Sequence, residues 1–104
     1  MIIEYLRYTV PEDRASAFVE AYAAASGPLL SSPHCLSFDL ARCVEDPTRF
    51  VLRIEWTSAD DHLKRFRGSE PFEGFFAHVK PFVDAIDEMR HYERLLPADR
   101  ASGR

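Results

Sequence analysis

The chain of 104 residues has little of several features that mark whole classes of protein. It has only four glycines and no G-x-G-x-x-G segment, so a phosphate-binding nucleotide loop is not expected. It has no cluster of lysine and arginine, and its 13 basic residues are outnumbered by 17 acidic ones. This balance argues against a nucleic acid or an anionic membrane surface as partner. No apolar run is long enough for a transmembrane helix.

Cysteine is also scarce, with one residue at Cys35 and one at Cys43. Both fall on one predicted strand, about 26 Å apart at about 3.3 Å per residue, so they cannot form a disulfide within it. The first ten residues contain Glu4 and Arg7 and lack the pattern of a signal peptide. We therefore expect a cytoplasmic protein with free thiols. No set of His, Cys, Asp and Glu has a metal-ligand spacing, so no metal and no cofactor are expected.

The order of predicted elements indicates a single α+β domain. Two helices are expected to begin at the caps Ser58 and Ser69, and an earlier one to begin after Pro11 and to stop near Gly27-Pro28. Alternating apolar residues predict strands at 2–9, 35–43, 50–56 and 86–95. This is the ferredoxin-like βαββαβ order, with a four-stranded antiparallel sheet. The domain is predicted to span residues 1–95, and residues 96–104 to form a disordered tail.

The segment VLRIEW at residues 51–56 predicts two different sheet faces. Successive side chains on a strand point to opposite sides, so Leu52, Ile54 and Trp56 form an apolar row, whereas Arg53 and Glu55 lie on the other face. The helices of a ferredoxin-like fold cover only one face. We therefore expect the charged face to pair with a second copy in a homodimer. The alternative is a monomer with a solvated sheet face.

The stretch VLRIEWTSADDHLKRFRGSEPFEGFFAHVKPFV resembles the antibiotic biosynthesis monooxygenase (ABM) family of the dimeric α+β barrel superfamily. The resemblance rests on a strand ending in Trp56, a capped helix, the FRGSEPF turn and a helix rich in phenylalanine. It implies a dimer, and the family includes haem-degrading enzymes, small-molecule isomerases, members with no established role and oxygenases that need no metal or flavin. Such an oxygenase removes a proton from an activated phenol or anthrone-like carbon, and the substrate anion then gives an electron to dioxygen.

The chain departs from the family at several polar positions. Many oxygenase relatives have a Glu where this chain has Ile54, and a His where it has Phe66. Haem-degrading relatives have an iron-binding His where our alignment places Phe76, and an Asn near Leu6. The departures argue against haem degradation and leave the base of an oxygenase unassigned.

Aromatic residues of the predicted core are expected to form a flat apolar pocket for an aromatic ligand. The alternative is that they simply fill the core. The substrate-binding candidates are Tyr8, Phe38, Trp56, Phe66, Phe72 and Phe76.

Histidine is the side chain whose ordinary pKa best suits a base at neutral pH. His62 and His91 are the catalytic candidates, because each belongs to an element that borders the predicted pocket. Arg7 or Arg90 could stabilise an oxyanion if turned inward, although pairing on the sheet face is the alternative.

The sequence thus favours a cofactor-independent monooxygenase that oxidises a small aromatic or quinol-type compound. Two alternatives stay open: a non-catalytic ligand-binding or accessory dimer of the same fold, and an isomerase acting on a small metabolite. Fold alone cannot choose among them.

Overall fold

The computed structural model of the protein describes residues 1–96. Residues 97–104, most of the predicted tail, lie outside the described residues. The strands are β1 (Ile2–Thr9), β2 (Cys35–Arg42), β3 (Arg49–Trp56) and β4 (Ile86–Glu93), and the helices are α1 (Glu12–Ser31) and α2 (Glu70–Val79). A π-helical segment (Asp61–Phe66) precedes α2, and a 3₁₀ segment (Lys80–Ala85) follows it.

The four strands form one antiparallel sheet in the order β2-β3-β1-β4. Together with the two helices this confirms the predicted α+β, ferredoxin-like fold. Leu52, Ile54 and Trp56 are buried on the face that packs against the helices, as the alternation predicted. None of the helices within residues 1–96 is both long and apolar enough to cross a membrane.

The first helix is longer than predicted. The expected stop at Gly27-Pro28 is wrong, because α1 continues to Ser31 with Pro28 inside it. Leu29 is completely buried in the core, and this burial keeps the last turn helical although Pro28 has no N–H to donate. Gly74 of α2 allows a close approach at this point, since a Cβ atom there would lie 3.2 Å from Cβ of Pro28.

The two later caps are present as predicted. The Ser58 hydroxyl accepts a hydrogen bond from the backbone N–H of Asp61 at 3.0 Å and starts the π-helical segment. The Ser69 hydroxyl accepts from the backbone N–H of Phe72 at 3.3 Å and starts α2. These caps fix where each helix begins and therefore which side chains face the sheet.

The outer sheet face carries ion pairs within the chain. Glu55 contacts both Arg53 and Arg94, and all three side chains are only partly exposed. At the ends of β2, Cys35 and Cys43 are free thiols, and burial raises the pKa of the Cys35 thiol to about 11. A thiol with so high a pKa is not a nucleophile at neutral pH.

Candidate active site

A cavity of about 300 Å³ lies between the inner sheet face and α2. This volume is at the lower end of the range for small-molecule sites, about 300–1,000 Å³. The wall is mainly aromatic and aliphatic, and the 3₁₀ segment and β4 complete it with Val83, Ile86 and Met89. The few polar groups in this wall therefore determine which chemistry the cavity can support.

The most unusual polar group in the wall is the carboxylate of Glu4. It lies on the inward row of β1, paired with Ile54 of β3 on one side and with His91 of β4 on the other. Only 2% of the residue is exposed. The indole Nε1 of Trp56 donates a hydrogen bond to Oε1 of Glu4 at 3.0 Å. An acidic group buried in this way is uncommon and needs a physical or functional reason.

Two histidines from different elements meet this carboxylate. His62, in the π-helical segment, stacks on the Trp56 ring with centroids 4.4 Å apart. Its Nε2 lies 3.4 Å from Oε1 of Glu4, and its Nδ1 lies 2.7 Å from Nε2 of His91. His91 Nε2 lies 3.9 Å from the second carboxylate oxygen. The three groups form one connected polar cluster.

Burial shifts the protonation of all three groups. Desolvation raises the pKa of Glu4 to about 7, although the hydrogen bond from Trp56 and the positive charge of Arg67 act in the opposite direction. Desolvation lowers the pKa of His62 to about 3, and it also lowers the pKa of His91. At neutral pH both imidazoles are therefore uncharged, and the carboxyl group is the one that titrates.

This arrangement forms a path along which a proton can move. A neutral His91 with its proton on Nε2 donates to Nδ1 of His62, whose own proton on Nε2 then faces Oε1 of Glu4. If Glu4 takes up a proton, the hydrogen bond between the two imidazoles can reverse direction. The path ends at the His91 side chain, which is 25% exposed compared with 3% for Glu4. A chain of contacts thus links the buried carboxylate to a partly exposed imidazole.

The same cluster has the composition of some transition-metal sites. One donor atom from each of Glu4, His62 and His91 lies within 4.8 Å of the others. Two imidazoles and one carboxylate suit several divalent metals, so these are the residues that could hold an ion. Sequence spacing did not indicate this set, because the three residues come from three separate elements.

The structure brings both histidine candidates together and places most of the predicted pocket residues in the cavity wall. His62 itself lines the cavity, whereas His91 contacts it through His62. Phe38 is the exception, since it packs on the core from the edge strand β2 and does not line the cavity. The candidates that line the cavity are Tyr8, Trp56, Phe66, Phe72 and Phe76.

Arg7 and Arg90 do not turn inward, in agreement with the alternative that both pair on the sheet face. Both side chains pair with Glu88 on the outer face, at 3.2 and 3.0 Å. The arginine of the cavity wall is Arg67, which follows the π-helical segment and is also exposed to solvent. It therefore lies at the cavity mouth, where its charge favours the ionised form of Glu4.

Sequence reasoning also missed Glu4 and Tyr22, which both line the cavity. A signal for Glu4 was available, because it shares the inward row of the first strand with Leu6 and Tyr8. For Tyr22 the helical spacing from Phe18 indicated burial but gave no reason to expect a polar contact.

Comparison with known proteins agrees with the fold. A family model described as antibiotic biosynthesis monooxygenase, ABM, matches residues 1–78. The chain belongs to the ABM family. Its ABM domain contains the β1 glutamate, the aromatic end of β3 and the π-helical histidine, whereas His91 lies beyond the matched residues.

Individual relatives of this ABM protein are distant. The uncharacterized protein YczJ of Bacillus subtilis (strain 168) is 23% identical over 93 residues, which cover 89% of this chain and 98% of that protein. A Bordetella bronchiseptica structure, named for antibiotic biosynthesis monooxygenase, is 26% identical with a TM-score of 0.74 and covers 91% of this chain and 97% of that one.

A third ABM relative has a named activity. SnoaB, a cofactor-independent oxygenase from Streptomyces nogalater solved as a mutant, is 19% identical with a TM-score of 0.75 and covers 93% of this chain and 97% of that one. At this identity the likeness extends to the fold alone.

Proposed function

We propose that this ABM protein is a cofactor-independent monooxygenase for a small aromatic or quinol-type compound, with Glu4 as the catalytic base. The observation that carries the proposal is a buried carboxylate, with a pKa raised to about 7, in the wall of an apolar cavity. A base works best when its pKa lies near the working pH. Desolvation also makes the carboxylate a stronger base, which helps it to remove a proton from a weakly acidic substrate. The named activity of SnoaB supports the same reaction class.

The reaction needs no outside reductant. Glu4 removes a proton from an acidic CH₂ group of the substrate, the carbanion gives one electron to dioxygen, and the two radicals combine to a peroxide on that carbon. The peroxide takes up a proton. Loss of the second C–H proton with cleavage of the O–O bond then gives a ketone and water. The carbon loses four electrons, and dioxygen gains the same four.

The residues around Glu4 have distinct roles in this scheme. Trp56 donates its N–H group to Oε1 of Glu4 and so holds the carboxylate in the cavity wall, where it can accept the proton. His62 and His91 pass that proton toward solvent, so that the base is restored for the next step. Arg67, at the mouth, supplies positive charge close to the developing anion.

Oxygen uptake by metal-free protein tests the proposal. Anthrones and dihydroxynaphthalenes should be consumed with dioxygen, and Glu4→Gln should reduce the rate by about 10²–10⁴-fold, as expected for a general base. Glu20→Gln, on the exposed side of α1, is the matched control and should keep the rate. Uptake that survives in Glu4→Gln contradicts the assignment of the base.

The same experiment separates the alternatives. Ligand-dependent thermal stabilisation without oxygen uptake would favour a binding or accessory protein. Product formation without oxygen uptake would favour an isomerase. Activity that disappears on metal removal and returns with a divalent ion would favour a metal at Glu4, His62 and His91.

We also propose that the protein is a homodimer through its outer sheet face. Glu55, Arg53 and Arg94 form a charged cluster there, and their side chains are only 16–27% exposed although no helix within residues 1–96 covers them. The rings of Tyr5 and Tyr92 pack edge to face beside this cluster, with centroids 5.4 Å apart. A preformed surface of this kind suits a partner with the same surface related by a two-fold axis.

A further inference from the structure

The cavity has a second polar position, formed by Tyr8 of β1 and Tyr22 of α1. Both rings line the cavity, and the residues are only 3% and 2% exposed. Their hydroxyl oxygens are hydrogen bonded to each other. The neighbours are apolar, with Phe18 packed on Tyr8 at 4.8 Å between ring centroids and Phe75 packed on Tyr22 at 6.1 Å.

The tyrosine pair has one more donor than it uses. Each hydroxyl carries one proton and can accept two hydrogen bonds. The single bond between the two hydroxyls uses one proton, so whichever tyrosine accepts keeps its own proton unused. Within residues 1–96 neither hydroxyl has another hydrogen-bond partner. Leaving a buried donor without an acceptor is unfavourable by about 1–3 kcal/mol, and an acceptor atom in the cavity would remove this cost.

The pair remains a donor at neutral pH. Burial raises the pKa of Tyr8 to about 12, and burial also raises the pKa of Tyr22. Both hydroxyls are therefore protonated, so the pair does not provide a second base.

The tyrosine pair and the carboxylate occupy separate positions along the cavity wall. Glu4 and Tyr8 are on the same face of β1, four residues apart, which separates their Cα atoms by about 13 Å at about 3.3 Å per residue. Leu6 lies between them and also lines the cavity. A ligand that touches both groups must reach along β1 past the apolar Leu6.

We propose that the Tyr8–Tyr22 hydroxyl pair is a second polar anchor, which donates a hydrogen bond to an acceptor oxygen of the ligand at the end remote from Glu4. The preferred ligands are then fused-ring aromatics with a carbonyl oxygen at one end and an acidic hydrogen at the other. The position of the acidic hydrogen rests on the proposed function, whereas the hydrogen bond from the tyrosine pair does not.

Binding without oxygen tests the anchor separately from turnover. The probes are 6-hydroxy-2-naphthaldehyde and 4-hydroxy-1-naphthaldehyde, each compared with the naphthol that lacks the aldehyde, and the dissociation constants are measured by calorimetry in oxygen-free buffer. The two aldehydes place the carbonyl along the long and the short ring axis. We expect at least one aldehyde to bind about three- to tenfold more tightly than its naphthol, the effect of one net hydrogen bond.

The decisive variant removes both hydroxyls. Tyr8→Phe/Tyr22→Phe should lose the preference for the aldehyde, and because both partners of the buried bond are removed together, the cost in stability should be small. Each single variant keeps one hydroxyl and should retain a preference. Ser16→Ala is the control, since this hydroxyl lies on the exposed side of α1.

A second measurement on the unaltered protein covers the case in which the double variant does not fold. The infrared carbonyl stretch of the bound aldehyde should shift to lower frequency than in an apolar solvent. An unshifted stretch, or an undiminished preference in the double variant, overturns the anchor. If the preference for the aldehyde depends on the tyrosines but no oxygen is taken up, the anchor stands and the oxygenase is refuted. If oxygen is taken up but the preference is unchanged in the double variant, the oxygenase stands and the anchor is refuted.

Discussion

The pH dependence of stability in Glu4→Gln gives the sharpest test of the site. Gln has nearly the same shape as Glu, and its carbonyl oxygen can still accept the hydrogen bond from Trp56. The substitution therefore removes the ionisation of the buried group and little else. In the unaltered protein the pKa of Glu4 rises from 4.5 in the unfolded chain to about 7 in the folded one. At about 1.36 kcal/mol per pH unit, this rise corresponds to roughly 3 kcal/mol.

The sign of the effect follows from proton binding. Between pH 4.5 and 7 the folded protein holds the proton on Glu4 more tightly than the unfolded chain does, so stability falls as pH rises. The stabilising contribution is complete below pH 4.5 and is lost as pH passes through 7. His62 acts in the opposite direction. Because its pKa is lowered to about 3 in the folded protein, the free energy of unfolding decreases as pH falls from 6.5 toward 3. Comparison of the variant with the parent separates the Glu4 contribution from that of His62.

Urea unfolding at a series of pH values measures this difference. We expect Glu4→Gln to unfold with nearly the parent free energy at pH 4.5 and to be more stable by about 3 kcal/mol at pH 8, where the parent holds a buried charge. Glu20→Gln, an exposed position, should show no comparable trend. A constant difference across the pH range would refute the raised pKa, and with it the reason for choosing Glu4 as the base.

The remaining predictions concern the groups around the base and the outer face. Trp56→Phe removes the N–H that stabilises the carboxylate, so the pKa of Glu4 should rise further and the acid limb of the pH–rate profile should move up by about one unit; an unmoved limb contradicts this. His91→Ala should slow oxygen uptake about tenfold if the proton leaves through His91, and imidazole in the buffer should partly restore the rate. His78→Ala, on the exposed side of α2, should not slow oxygen uptake. Glu55→Arg should weaken the dimer in sedimentation experiments by repelling its two arginine partners, and an unchanged dimer constant argues against this interface.

Local patterns were sufficient to predict most of the fold. The alternation of Leu52, Ile54 and Trp56 gave the buried face of β3, and the caps at Ser58 and Ser69 gave the start of two helical segments, because each signal depends only on neighbours in sequence. The end of α1 was not predictable in this way. A helix interior normally excludes proline, and only the tertiary burial of the next residue explains why this helix continues.

The site is less predictable because it depends on register. Glu4 and His91 become neighbours only through the pairing of β1 with β4, and His62 reaches them only because its segment folds over the end of β3. A pattern of residues along one element cannot give such distances. What the sequence does contain is a carboxylate on an inward row, and any charged residue in that position deserves to be treated as a candidate before the more familiar histidines.

The free-energy cost of burying the Glu4 carboxylate indicates a functional role and not a structural one. A domain of this size has a total stability of about 5–15 kcal/mol, so a penalty of roughly 3 kcal/mol at neutral pH is a large fraction of it. The Glu4 carboxylate accepts one hydrogen bond from Trp56 and makes a longer contact with His62. An apolar side chain at this position would remove the penalty altogether. A group that weakens the fold at neutral pH, faces a cavity and contacts two neutral imidazoles, one of them partly exposed, has the properties required of a base.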